Sequence, residues 1–514
     1  MTLFRGFDSF CDSYVLCSII LLFLEKSNAN ITVKTATGIS KREAIHNVVM
    51  QGTVWGSLFC TTSMDKLGKL VYSNDELVYK YKGVVDTPSL GMVDDVLCIQ
   101  KCSDKAIKAN AAINAFIETK KLKFSETKCN RIHISKKKEY SQNCPTLKVH
   151  DKNMKDSTKE KYLGDIIHES GKIRHTVEER RDKGLAIVAE ILAILDEIPL
   201  GKFKFEIGLK LRQAMLINGI LFNSEAWHAV TEYELKMLEK VDEYLLRSLV
   251  DGHSKTPLEF LYLEAGALPI RFILSSRRMI YLQTILKRED SELTKRIYKA
   301  QTDDPLPGDL SELLKKDFES IEETMDESAI TNVNEKSYKK VIKTKVRRAA
   351  FKYLIELKEK HSKIKHIEYE DLETQRYLTS PLFSNEEVSL LFSLRSRFMD
   401  CKANFKNQYK DTNILCPVCK GNDDTQQHML ECEVIINAFK SAGVTIEKNN
   451  YEDIFKDHKK QKEITAMYKE LLKIKTKLIK DSQPNQLDPC TSGEEVLMNS
   501  HDLLTCIDCC SSEK

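Results

Sequence analysis

The sequence predicts an α+β protein that is mostly helical, and three observations carry that reading. From Ile173 to about residue 400, apolar residues recur at three- and four-residue spacing, the period of an amphipathic helix. Before residue 168, short apolar runs bounded by Gly and polar turn residues alternate with helical patterns. Only 19 glycines and 11 prolines occur in 514 residues, too few for a many-turned sandwich or a low-complexity linker. The length allows two to four domains.

Residues 1–168 hold the mixed part. The apolar run Tyr14 to Leu24 is shorter than the ~20 residues that cross a bilayer, and Asp8 and Asp12 beside Arg5 make a poor signal-peptide flank. It reads as a buried helix, and no membrane partner is expected. An apolar stretch, Val48 to Met50, then leads through Gln51 and Gly52 to Trp55, Leu58 and Phe59 at helical spacing, with Thr53 placed to cap the helix. Next comes Gly91-Met92-Val93-Asp94-Asp95, set in the apolar run Leu90, Val93, Val96, Leu97, Ile99. Paired carboxylates at a strand turn suit Mg²⁺, which wants oxygen ligands and keeps waters for substrate phosphates. Asp is equally a common turn residue. Leu122-Lys123-Phe124 with Glu126-Thr127-Lys128, and then Tyr162-Leu163-Gly164-Asp165, follow in order.

Residues 169–250 read as a helical unit, with Ile187, Ile191, Ile194 and Leu195 on one face and Leu235, Leu238, Val241 and Leu245 on another. Leu209, Leu211, Met215 and Leu216 read as core. Residues 251–400 are helical too, interrupted at Thr302-Asp303-Asp304-Pro305-Leu306-Pro307-Gly308, where Pro and Gly stop helices and a linker is expected.

Residues 401–440 carry the most specific spacing in the chain, Cys416-x2-Cys419-x8-His428-x3-Cys432, with Gly421 to Asp424 supplying a turn. Three thiolates and an imidazole match a structural Zn²⁺ site, whose four ligands leave no open position for chemistry. Buried cysteines of a reduced protein are the bland alternative. In residues 441–514, Lys459 to Lys480 reads as a charged helix and the tail beyond Asp481 loses periodicity. Cys506, Cys509 and Cys510 with His501 could suggest a second metal site, but the surroundings read as disordered and the cysteines have no fourth ligand at usual spacing, so none is expected there.

Fifteen cysteines scattered without a small-domain framework, three of them at metal spacing, point to a reducing interior, nuclear or cytoplasmic, and not to secretion. Net charge is only +3, yet Arg131 to Lys138, Lys340 to Lys352 and Lys459 to Lys462 are locally basic. Such runs are ordinarily solvated helix faces; against phosphates they make binding salt-dependent.

The order Gln51-Gly52, Met92-Val93-Asp94-Asp95, Glu126-Thr127-Lys128, Tyr162-Leu163-Gly164 resembles motifs B to E of reverse transcriptases, closest to those of non-LTR retrotransposons. The likeness spans residues 30 to 435 and takes in the Cys-Cys-His-Cys element, preceded by the basic Leu391 to Arg397 segment. It implies a partial right-hand palm, a ferredoxin-like antiparallel sheet with helices, over 1–168; a helical thumb over 169–250; and a helical connecting region over 251–400. It implies RNA-directed DNA polymerase activity, with RNA template, DNA primer and deoxynucleoside triphosphates as partners and Mg²⁺ and Zn²⁺ as cofactors. Asp94 and Asp95 would hold Mg²⁺, Gln51 and Gly52 would lie against nucleotide and template, and Lys128 would be an acid near pyrophosphate; a solvated lysine is the competing reading. The family's motif A aspartate stands six residues before the Asp of a Phe-Asp pair. Here that position, counted from Phe7-Asp8, falls on Thr2, so an N-terminally truncated palm is expected. After Cys432 no carboxylate-lysine pattern of the family's downstream endonuclease is read, so no nicking of a target is expected of these residues. Two functions stay open: RNA-templated DNA synthesis, or a catalytically dead remnant that binds nucleic acid. The sequence leaves the oligomeric state open.

Overall fold

In the computed structural model, the chain is an α+β protein, mostly helical, with small and chiefly antiparallel ladders. The structure describes residues 64–71, 74–87, 89–92, 95–120, 124–135, 146–197, 204–399, 401–405, 414–441 and 458–482, together with short strand pairs between 30 and 44. The run from Tyr14 to Leu24, the Val48 to Cys60 segment and the His501 to Cys510 cluster lie outside the described residues. The chain divides into two compact units, one of residues 1–175 with 285–312, the other of 176–284 with 313–514.

In the first unit, β1 (Tyr79–Tyr81) pairs antiparallel with β2 (Val85–Thr87), and β3 (Leu90–Met92) with β4 (Asp95–Leu97). Helix α1 (Ser103–Lys120) brings Ala109 onto Val71 and Leu77 to form a small buried cluster. Then β5 (Lys159–Tyr162) pairs with β6 (Asp165–His168) across a two-residue turn. Leu163 and Gly164 both take positive φ there, 49° and 94°, which fits the right-handed twist of a tight hairpin and is cheap only for Gly. Every ladder among the described residues has two strands, and one, Lys155–Asp156 against Asn130–Arg131, is parallel. The continuous antiparallel sheet expected of a palm is not displayed by those residues.

Helix α2 (Arg174–Glu197) buries Val188, Ile191 and Leu195, with Ile187 and Ile194 half-buried beside them. In the second unit, α3 (Lys204–Leu211) runs into one π-helical turn at Arg212–Ile217 and packs on α4 (Glu232–Leu249). Thr231 and Glu234 cap α4 reciprocally: the Glu234 N–H donates to Thr231 Oγ1 at 3.3 Å and the Thr231 N–H to Glu234 Oε2 at 2.7 Å. Leu238, Val241 and Leu245 are buried and Leu235 half-buried, as the periodicity predicts. A Cβ on Gly184 would come within 2.8 Å of Ile220, so α2 approaches that segment closely. Helices α5 (Leu258–Ala265) and α6 (Ile270–Leu286) follow.

Helix α7 (Leu293–Asp303) belongs to the first unit and packs on β2. The expected linker at 302–308 is a pinned turn between α7 and α8 (Leu310–Ser320): the Leu306 N–H donates to Asp309 Oδ2 at 3.0 Å, and Lys82 pairs with the same carboxylate at 2.9 Å. Helix α9 (Glu335–Lys358) packs on α5, and α10 (Asn385–Ser396) leads to the Cys/His element. Short α11 (His428–Glu431), α12 (Glu433–Ser441) and the charged helix α13 (His458–Ser482) complete the described chain, α13 lying against α10 and α12. No helix among the described residues is long and apolar enough to cross a membrane.

Candidate metal centre

Cys416, Cys419, His428 and Cys432 offer four donor atoms that all lie within 4.8 Å of one another. Tetrahedral ligands at about 2.0–2.3 Å from one ion sit under 4 Å apart, so shifts of about 1 Å or less bring these three thiols and one imidazole onto a shared ion. A tight hairpin positions the first two. The Cys416 N–H donates to Asn422 O at 2.7 Å, the Lys420 N–H to Cys416 O at 2.9 Å, and Leu415 bridges Asp423 across the strands. Lys420 takes φ 56°, which turns the chain so that the Gly421 N–H reaches Cys419 Sγ at 3.5 Å. The other two ligands come from α11. Its first residue, His428, has its N–H on Thr425 Oγ1 at 3.0 Å, and the Cys432 N–H bonds His428 O at 2.8 Å, one turn on. Thus His428 and Cys432 share a face, and the histidine Nε2 lies 3.3 Å from Cys419 Sγ.

The electrostatics suit a cation. Backbone N–H donors of Gly421 and Asn422, helped by His428, draw the half-exposed Cys419 thiol down to about 6, so it is ready as a thiolate. Burial, and then its crowding against Cys416 and Cys419, push Cys432 up to about 11. A divalent ion at the centre reverses that second effect, because it supplies the charge which clustered thiolates lack. The donor set therefore fits a metal ion such as zinc, and fills its coordination without an open position.

Two residues that spacing did not single out, Asp424 and Gln426, hold the element in place. Asp424, read from sequence as a turn residue, is only 2% exposed; Lys475 of α13 donates to its Oδ1 at 2.7 Å and the Lys402 N–H to its Oδ2 at 3.0 Å. Gln426 donates to Leu394 O of α10 at 3.0 Å and accepts from the Tyr468 hydroxyl of α13 at 3.4 Å. The advance signal is the i, i+4, i+7 row of α13, Ile464, Tyr468 and Leu471, all buried. The basic segment at Leu391 to Arg397 is also structural in part: Arg395 is 1% exposed and makes paired bonds to Glu264 of 2.9 and 2.7 Å.

The expected Mg²⁺ site is placed only in part. Asp94, Gln51 and Gly52 lie outside the described residues. Asp95 is exposed and opens β4, paired with Met92 across the hairpin. The described residues gather no group of three metal-ligating side chains around it. Lys128 is exposed in the turn at 126–128, where its N–H bonds Ser125 O at 3.0 Å. One contact joins two of the sequence motifs: the Tyr162 hydroxyl donates to Leu90 O at 3.4 Å. Burial, and then the Asp95 carboxylate, raise that phenol's pKa. The seven described cysteines are free thiols. Among known proteins, no family model matches the chain and no curated protein matches it.

Proposed function

We propose that this chain is the polymerase part of a non-LTR retrotransposon reverse transcriptase, built for RNA-templated DNA synthesis and stabilised by Zn²⁺ at Cys416, Cys419, His428 and Cys432. One observation carries the reading. The Tyr162-Leu163-Gly164-Asp165 hairpin and the Met92-to-Asp95 hairpin, far apart in sequence, touch through Tyr162 and Leu90, with Asp95 close enough to act on the phenol. A primer-gripping hairpin beside a carboxylate-bearing hairpin is what such a palm requires. In this reading Asp94 and Asp95 hold Mg²⁺, which stabilises the attacking and leaving oxygens of nucleotidyl transfer. On the same reading Gln51 and Gly52 would lie against nucleotide and template, and Lys128 would protonate pyrophosphate.

The second reading, a catalytically inactive protein that binds RNA or DNA, is favoured by the closed donor set of the Cys/His element and by exposed lysine faces on α9 and α13. Primer extension on an RNA template with Mg²⁺, run beside Asp94→Ala, separates the two. Extension by the parent chain and a drop of about a thousandfold or more in the variant supports the polymerase, a scale typical of removing essential transition-state charge stabilisation. Equal extension by both removes it. Nucleic-acid binding without extension by either establishes the second reading.

A further inference from the structure

We propose that Lys336, Lys339, Lys340 and Lys343 of α9 form a phosphate-binding track for a nucleic-acid strand. The inference rests on the nucleic-acid reading above and assigns it a surface. All four lysines are exposed, and none has an ion-pair partner among the described residues. At 3.6 residues per turn, spacings of three, four and seven put them on one side of the helix. Their Cα atoms span about 10 Å along the axis, the length over which one duplex strand presents about three phosphates.

Other cations on the same helix are already engaged. Lys345 and Lys352 lie about half a turn round from the row, where Glu323 and Glu322 pair with them. Arg347 binds the carbonyls of Gly266 and Leu372. The sequence-level cluster from Lys340 to Lys352 therefore splits, and its unneutralised part begins earlier, at Lys336. On α13 the corresponding lysines are partly neutralised, Lys469 by Glu386 and Lys473 by Glu470.

Helix α9 is also fixed. Asn334 caps it by accepting from the Lys336 N–H at 2.9 Å, the Tyr338 hydroxyl donates to Met279 O at 3.1 Å, and Ile342, Val346, Ala350 and Leu354 are buried at four-residue intervals. The lysine stems thus project from a rigid rail, which lowers the ordering cost of binding. A lipid surface fits poorly. Membrane-lying helices carry a broad apolar face, whereas Val341 is the single large apolar side chain that the described residues of α9 expose, and it lies well round the helix from this row.

The test is binding of the full chain to single-stranded RNA, duplex DNA and an RNA–DNA hybrid across a salt series. Changing all four lysines to Gln lowers affinity at least about tenfold at moderate salt and reduces the slope of log K against log salt by about 3. Changing all four to Arg retains affinity and slope, and Lys352→Gln leaves both near the parent values. The substrate showing the largest loss identifies the strand that the track follows. Circular dichroism confirms that the variants fold. An unchanged slope in the Gln variant, with the parent chain binding, overturns this inference and leaves the proposed function standing. Absence of binding by the parent chain at low salt overturns both.

Discussion

Glu264 sits 1% exposed at the centre of a buried polar group, accepting from Arg395 and from the hydroxyls of Tyr369 and Tyr377 at 2.5 and 2.6 Å. Burial, then the Glu264 charge, hold both phenols far above their usual range, so they stay neutral donors. Removing one charge leaves the other buried and unpaired: Glu264→Gln lowers unfolding stability by about 3–5 kcal/mol, read from urea midpoints. Adding Arg395→Met to that variant recovers part of the loss, because it removes the stranded guanidinium. His366 offers a pH prediction. The residue is exposed, but partial desolvation of its ring, then Arg397, Lys358 and Arg395, press it down to about 4 from 6.5. Between those values the unfolded chain binds the extra proton, so this contribution is present above pH 6.5 and fades as pH falls toward 4. His366→Gln flattens the pH dependence of the urea midpoint over that window; an unchanged slope would assign it to other groups. Neither site was legible in the sequence, since a Glu or His in a helical pattern gives no sign of what it meets.

At the scale of elements, the Cys/His loop and α13 stand or fall together. Lys475 reaches Asp424, Tyr468 reaches Gln426, and Tyr468 and Leu471 pack inside. One bound Zn²⁺ per chain is expected by metal analysis, and none in Cys416→Ser. Chelation, or that substitution, speeds hydrogen exchange of the amides at 464–471 at least about tenfold, because metal binding is linked to the local fold. Chelator-insensitive exchange would mean that the hydrogen bonds hold the loop without the ion. The ligand set was readable from spacing alone, because Cys-x2-Cys and His-x3-Cys each bring two donors together by local geometry. The anchors were not, because they bridge 51 residues for Lys475 and 42 for Tyr468. Likewise the capping pairs Thr231–Glu234 and Ser384–Glu387 follow from a local S/T-x-x-E pattern. The turn at 302–308 illustrates the limit: Pro and Gly announced a break, and Asp309 and Lys82 made it a fixed one.

At the scale of the whole molecule, residues 285–312 join the N-terminal unit, although the helical pattern of 251–400 breaks at 302–308 and not at 285 or 312. Periodicity reports which face of a helix is buried and says nothing of its partner, so this grouping was invisible beforehand. By itself the sequence determined the α+β class, the long helices with their apolar stripes and the Cys416-Cys419-His428-Cys432 donor set. All of these depend on contacts within a turn or two of chain, where residue type and spacing dictate geometry. Only the tertiary structure decided that Glu264 and Arg395 form a buried pair, that Asp424 and Gln426 anchor the metal loop, that Tyr162 meets Leu90, and which lysines of α9 remain unneutralised. Those outcomes depend on residues tens to more than a hundred positions apart, and packing rather than local spacing brings such residues together.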